Sequence, residues 1–201
     1  MKIVLIGDSI MFGTEKLSGY GLIMADYYEK AGKGEVILPI ENCQDTRLTS
    51  SALVDLFENR IIEDADIVHW NNGLWDVLHF MGADRCCVSQ ALYVKLLEKI
   101  YLKLKEVCPR AKIIFATSTP IREDIEIKIG YRKNSDIEAY NRLAKEYFKD
   151  KDVVINDLYS FAKSTLLDKY AESDPTHFSD EASELFAKHI IKLIEEVQND
   201  K

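Results

Sequence analysis

Ser9 stands in Ile6-Gly7-Asp8-Ser9-Ile10-Met11-Phe12-Gly13, directly after the first apolar run of the chain. A serine hydroxyl is a weak nucleophile, and it acts only when a base takes its proton and a third group holds that base in place. The competing reading is plain turn chemistry, because Asp and Ser side chains also bond to nearby backbone amides. Four histidines are on offer as the base. His69 lies inside an apolar run and reads as a core residue, His189 falls inside the terminal helical stretch, and His79 follows a tryptophan-containing loop that could line a site. His177 remains, in Ser173-Asp174-Pro175-Thr176-His177-Phe178-Ser179-Asp180, with Asp174 three residues upstream and Pro175 stiffening the turn. One short loop can present both side chains to one point. The alternative is a loop whose polar residues only lead into the next helix, with Ser179 as its N-cap.

The elements that must position these residues alternate in type. Short, nearly continuous apolar runs at Lys2–Ile6, Glu35–Pro39, Asp66–Trp70, Lys112–Thr117 and Asp152–Ile155 read as buried parallel strands. Helical spacing follows each of them, at about Tyr20–Ala31, Ser50–Asn59, Val88–Val107, Ser135–Lys149 and Asp180–Val197. In the third of these, Leu92, Leu96, Leu97, Ile100 and Leu104 recur on one face, and Cys108-Pro109 ends the helix. Strands that alternate with helices predict an α/β fold, a three-layer α/β/α arrangement around a five-stranded parallel sheet of flavodoxin-like form. Sites in such sheets form at the carboxyl ends of strands. Ser9, Asn42–Thr46, Asn71–Asp76 and Ser118-Thr119-Pro120 all follow strands and so gather on one edge. No repeat or Pro/Gly/Ser linker divides the chain, so residues 1–201 are read as one domain.

Composition narrows the partners. A net charge of −8 without a basic run disfavours nucleic acid and anionic membrane surfaces. No stretch has the roughly 18 apolar residues of a membrane span, and the N-terminus carries no signal-peptide pattern, so the expected location is cytoplasmic and no stable membrane association is expected. The four cysteines at 43, 86, 87 and 108 lack C-x-x-C spacing and read as reduced thiols. His79 with Cys86 fits no zinc-ligand spacing, and no metal is expected. The first loop lacks both G-x-G-x-x-G and G-x-x-x-x-G-K-[ST], which argues against a nucleotide binder.

Gly-Asp-Ser after the first strand, combined with Asp-x-x-His just before the last helix, resembles the SGNH/GDSL hydrolase family over nearly the whole chain. The resemblance implies a serine esterase or acylhydrolase with no cofactor, in which Ser9 is the nucleophile, His177 the general base and acid, and Asp174 its orienting partner. Asp8 is then a turn-shaping residue.

Two blocks depart from the family pattern. The family has a glycine in the oxyanion hole after the second strand, where Glu41-Asn42-Cys43-Gln44-Asp45-Thr46-Arg47 puts Gln44. A glutamine backbone N–H donates equally well if its conformation is reachable. The third block is usually G-x-N-D, and Asn71-Asn72-Gly73-Leu74-Trp75-Asp76 places Trp75 at the asparagine position. The expected oxyanion hole is therefore Ser9, Gln44 and Asn71, with the Asn72 amide and Trp75 indole as rival donors. Asn72 and Trp75 are also tentative substrate contacts. Arg47 and Arg122 could fix an anionic or hydroxylated substrate, and the charged segment from Arg122 to Ser135 reads as a rim or lid. The expected substrate is a short-chain, acetyl-type ester, a small molecule or a carbohydrate. The alternatives are a catalytically decayed binding module on the same frame, or a lysophospholipase or thioesterase.

Overall fold

The computed structural model describes residues 1–58, 62–81, 83–125 and 130–199, with residues 55–58 described by their backbone alone. Its strands are β1 (Lys2–Ile6), β2 (Glu35–Ile37), β3 (Ile67–Asn71), the two-residue β4 (His79–Phe80), β5 (Lys112–Ala116), the two-residue β6 (Gly130–Tyr131) and β7 (Val153–Asn156). The helices are α1 (Ser9–Phe12), α2 (Tyr20–Lys30), α3 (Thr46–Glu58), α4 (Gln90–Val107), α5 (Asn134–Phe148), α6 (Leu158–Thr165) and α7 (Asp180–Asn199).

Five strands form one parallel sheet in the order β2-β1-β3-β5-β7. The chain steps outward from β1 to β2, then returns across β1 and proceeds in the other direction. Right-handed crossovers therefore place α2 on one face and α3, α4 and α5 on the other. Helix contacts agree: α2 packs on α7, while α3, α4 and α5 pack in series. The strand order reverses between β1 and β3, which is where a crevice opens at the carboxyl edge of such a sheet.

Strand alternation sends successive β3 side chains to opposite layers. Trp70 meets Phe115 and Phe148 edge-on, with ring centroids 5.1 and 5.8 Å away. His69 points the other way, edge-on to Tyr20 of α2 at 5.8 Å. His69 is fully buried, and burial pulls its pKa down to about 3, so it stays neutral. Asn156 joins it to α7: its Nδ2 donates to His69 Nε2 at 3.2 Å, and its Oδ1 accepts from His189 Nε2 at 3.0 Å.

The sequence expectations hold for the sheet and shift at element ends. The β2 ladder ends at Ile37, two residues short of Pro39, which lacks the N–H a ladder needs. The third helix begins at Thr46 instead of Ser50, because the Asp45 carboxylate accepts the N–H groups of Arg47 (2.8 Å) and Leu48 (3.1 Å). The expected end of that helix at Asn59 lies outside the described residues. Three elements were not expected: the short α1, the α6 helix capped by Asp157 (Ser160 N–H to Oδ1, 3.2 Å), and the antiparallel β4–β6 ribbon.

Phe148 closes the α5 side of the core against Trp70, Phe115 and Tyr101. Phe148→Ala is expected to cost about 3–5 kcal/mol and to lower Tm by roughly 10 °C in a thermal melt. A shift of a degree or less would show that the ring cluster does not hold the sheet to this helix layer.

Candidate active site

The chain leaves β1 at Gly7, and Asp8 then caps α1 by accepting the Ile10 N–H at 2.9 Å. Ser9 is thus the first helical residue, at the carboxyl edge of a central strand and 8% exposed.

The Asp174–His177 loop comes to it from before α7. Asp174 Oδ1 accepts the N–H groups of Thr176 (2.7 Å) and His177 (2.8 Å), which folds Asp-Pro-Thr-His into a tight turn. The other oxygen, Oδ2, lies 2.7 Å from His177 Nδ1. His177 Nε2 in turn lies 2.8 Å from Ser9 Oγ. With the imidazole proton on Nδ1, the ring donates to Asp174 and leaves Nε2 to accept from the serine hydroxyl. The loop is tied down on both sides, by Arg122 N–H to Pro175 O at 2.7 Å and by Tyr170 stacked on Phe178 at 4.3 Å. Ser179 Oγ accepts the Ala182 N–H at 3.3 Å, as an N-cap of α7 does.

Burial alone would raise the Asp174 pKa, but the His177 side chain and the His177 and Thr176 amides outweigh it, and the carboxyl is held at about 2. Asp8 behaves in the opposite way. It is fully buried, its Oδ2 has no hydrogen-bond partner, and desolvation lifts its pKa to about 6 against the Ile10 amide and the positive charge of Arg132.

The donors expected for an oxyanion hole are not all free. Both hydrogens of the Asn71 amide face strand-end carbonyls, Ala116 O at 3.1 Å and Thr117 O at 3.3 Å. Asn72 is fully buried; its Nδ2 donates to Gln44 O (3.2 Å) and Thr49 Oγ1 (2.8 Å), and its Oδ1 accepts from Trp70 Nε1 (2.6 Å). That burial takes Asn72 out of reach of a substrate. The asparagines instead join β3 to its neighbours. Gln44 has φ 47, the left-handed region that favours glycine. Its N–H rests on Asn42 Oδ1 at 2.9 Å.

Trp75 is half-buried, and the Arg132 guanidinium lies over its ring, 5.6 Å from the centroid. Arg132 was not singled out by any motif. It follows β6, donates from Nε to Leu74 O at 2.6 Å, and lies 3.5 Å from Thr176 Oγ1. Together with Tyr131, Ile121, Arg122, Pro175 and Thr176 it lines a cleft of about 410 Å³ beside the Asp174–His177 loop. The crevice directly at Ser9 holds only about 10 Å³. Arg122 and Arg47, both expected as substrate anchors, pair with Asp124 (2.7 Å) and Asp45 (2.5 Å). Of the expected rim segment, residues 126–129 lie outside the described residues, and its flanks contribute to the cleft wall.

Asp76 closes the third block beneath the site. It is buried, accepts from Thr46 Oγ1 at 2.5 Å, and is pushed by desolvation up to about 7. The folded protein therefore keeps a proton there that the unfolded chain releases near its ordinary 3.8. Between those values the native state binds more protons, so this group lowers stability as pH rises. His69 acts in the opposite sense, so the sharp readout is a difference. Asp76→Asn is expected to gain stability relative to wild type as pH rises from about 4 to about 7, measured by urea unfolding. A pH-independent difference would contradict a protonated Asp76 in the fold.

No family model matches the chain. It is 22% identical over 209 residues to the GDSL esterase/lipase WDL1 of Oryza sativa subsp. japonica, spanning 98% of this chain and 78% of that protein. Among solved structures, the lipase/acylhydrolase from Enterococcus faecalis matches with a TM-score of 0.74 at 23% identity, over 96% of this chain and 94% of that one. The acetyl xylan esterase AlAXEase matches with a TM-score of 0.74 at 16% identity, over 96% of this chain and 100% of that one. The parallel sheet with its helix layers is thus the α/β fold of the GDSL-like lipases and acylhydrolases.

Proposed function

We propose that the protein is a serine carboxylic-ester hydrolase acting through Ser9, His177 and Asp174, with short acyl esters as substrates. The observation that carries this reading is the unbroken relay from Asp174 Oδ2 through His177 to Ser9 Oγ, at 2.7 and 2.8 Å, on the strand edge where the sheet order reverses. Ser9 Oγ attacks the ester carbonyl while His177 Nε2 takes its proton. The imidazolium so formed is stabilised by Asp174 and returns the proton to the departing alcohol oxygen. Water then attacks the acyl-serine by the same route in reverse, releasing the acid.

Two spaces argue for a short acyl group. The crevice at Ser9 has room for about one water-sized group, which suits the methyl of an acetyl ester. The larger cleft, lined by Tyr131, Arg122 and Arg132, suits a polar alcohol portion such as a sugar. The name of AlAXEase, an acetyl xylan esterase, agrees with that choice. The reading expects measurable hydrolysis of p-nitrophenyl acetate that falls as the acyl chain lengthens. Ser9→Ala and His177→Ala should each lose about 10³-fold or more. Ser9→Ala with near wild-type turnover would remove the nucleophile, and a preference for long chains would remove the short-acyl reading. A binding module on the same frame would leave Ser9 unlabelled by a fluorophosphonate.

For the oxyanion we propose backbone donors, the N–H groups of Ser9 and Gln44, with Gln44 leaving Asn42 as the tetrahedral oxygen forms. The indole N–H of Trp75 is the rival. Gln44→Gly should preserve kcat, since the same N–H remains in a conformation glycine prefers. Asn71→Ala should lower stability by about 1–3 kcal/mol while changing kcat by less than about tenfold. A kcat loss on the order of 10²–10³ in Asn71→Ala would restore its side chain to the hole; the same loss in Trp75→Phe would give that place to the indole.

A further inference from the structure

Away from the serine, the β4–β6 ribbon gathers three side chains from separate segments. His79 of β4 is 3% exposed, and its ring stacks on Tyr131 of β6 with centroids 4.6 Å apart. Its Nδ1 lies 3.0 Å from Ala83 O. A carbonyl only accepts, so Nδ1 donates to it, and Nε2 is turned inward. There Nε2 meets Asp136 Oδ2, from the first turn of α5, at 2.9 Å, and Cys86 Sγ at 3.6 Å. The three potential ligand atoms lie within 4.8 Å of one another.

We propose that His79 Nε2, Cys86 Sγ and the Asp136 carboxylate bind one divalent transition metal ion, zinc by preference, which clamps the ribbon to α5. Zinc bonds of about 2.0–2.1 Å to nitrogen and 2.3 Å to sulfur at tetrahedral angles separate those two atoms by roughly 3.5–3.6 Å. The Cys86–His79 separation of 3.6 Å fits that edge. The His79–Asp136 separation of 2.9 Å is a few tenths short of the corresponding edge, and rotation of a carboxylate 28% exposed relieves it. A carbonyl on the outer ring nitrogen is the usual support of a metal-bound histidine. A mixed nitrogen, sulfur and oxygen set disfavours magnesium and calcium. Thiolate and carboxylate together carry two negative charges, which a dication cancels.

The ion's task is positional. Tyr131, stacked on His79, is followed directly by Arg132, which bonds to Leu74 O and lines the cleft. A clamp at His79 fixes that wall without itself entering the Ser9 relay, so metal binding can be read without reference to hydrolysis.

The test uses the full chain after chelator treatment, titrated with zinc chloride and, separately, with cobalt(II) chloride. The expected result is one ion per chain by mass spectrometry of the gel-filtered protein, and a rise in Tm of roughly 5–10 °C at a hundred times Kd. The cobalt form should show a thiolate charge-transfer band and tetrahedral d–d absorption. Cys86→Ser should abolish the charge-transfer band, and Asp136→Asn should weaken zinc by at least the roughly 10–100-fold that loss of outer support costs. Both variants are checked for native far-ultraviolet circular dichroism. Cys87→Ser, altering the exposed neighbouring thiol, should leave the band intact. Absence of stoichiometric zinc, or binding undiminished in Cys86→Ser, overturns the proposal in favour of a metal-free Asp136–His79 ion pair. Loss of the band in Cys87→Ser alone overturns the ligand assignment.

Discussion

The Asp174 carboxylate accepts two backbone N–H groups and the Nδ1–H of His177, and the arrangement around Ser9 hangs on those three bonds. The backbone pair fixes the turn, and the ring bond fixes the direction of the imidazole within it. One side chain therefore sets both where His177 is and which nitrogen faces the serine. Its pKa near 2 follows from the same contacts, so the charge that orients the ring persists well below neutral pH. The loop needs external anchors because Ser173, just before it, has φ 59, a conformation a serine does not adopt without support. The Tyr170–Phe178 stack and the Arg122–Pro175 bond supply that support.

Behind the serine, a polar layer replaces the apolar core where the strands end. Asn71, Asn72, Thr46, Thr49 and Asp76 are all buried and bonded among themselves or to carbonyls leaving the sheet. Strand ends carry carbonyls that no ladder satisfies, and a buried carbonyl without a partner is costly. Asn71 meets that requirement at the end of β5, while Asn72 bonds to Gln44 O and Thr49 Oγ1 of the neighbouring loop and helix. Gly73 makes the layer possible: it has φ 138, and a Cβ there would come within 2.4 Å of Ser118 Oγ.

The sheet, its strand edges and the five expected helices were legible because their apolar periods are long and regular, as in Val88–Val107 against the observed Gln90–Val107. The α6 helix and the β4–β6 ribbon were not, since eight- and two-residue elements are too short to show a period and rest on tertiary partners. The meeting of Ser9, Asp174 and His177 could be anticipated because each sits in a short motif at an element end. The partners of Asn71 and Asn72 could not be, because an amide looks the same in sequence whether it faces a substrate or a strand-end carbonyl. Asp136 and Arg132 were invisible for a related reason: charged residues on a helix start and in a charged loop resemble solvated surface until the fold brings His79 or Trp75 against them.

On the proposed reaction, a negative oxygen appears at the carbonyl beside Ser9, in the field of two nearby carboxyl groups. A fixed anion there would oppose the step, and more strongly in a buried setting than in water. The Asp174 charge is balanced when His177 becomes an imidazolium in the same step. Asp8 has no such partner on its Oδ2, and its remedy is different. Burial raises its pKa to about 6, which weakens but does not remove its charge near neutral pH, and the half-buried Arg132 guanidinium offsets the charge that remains. Arg132 loses hydration to lie there, and the attraction of Asp8 and Asp174 holds it in the charged state. The cation that lines the cleft thus also offsets the carboxyl that shapes the serine turn, which ties the ribbon carrying Arg132 to the electrostatics of the nucleophile.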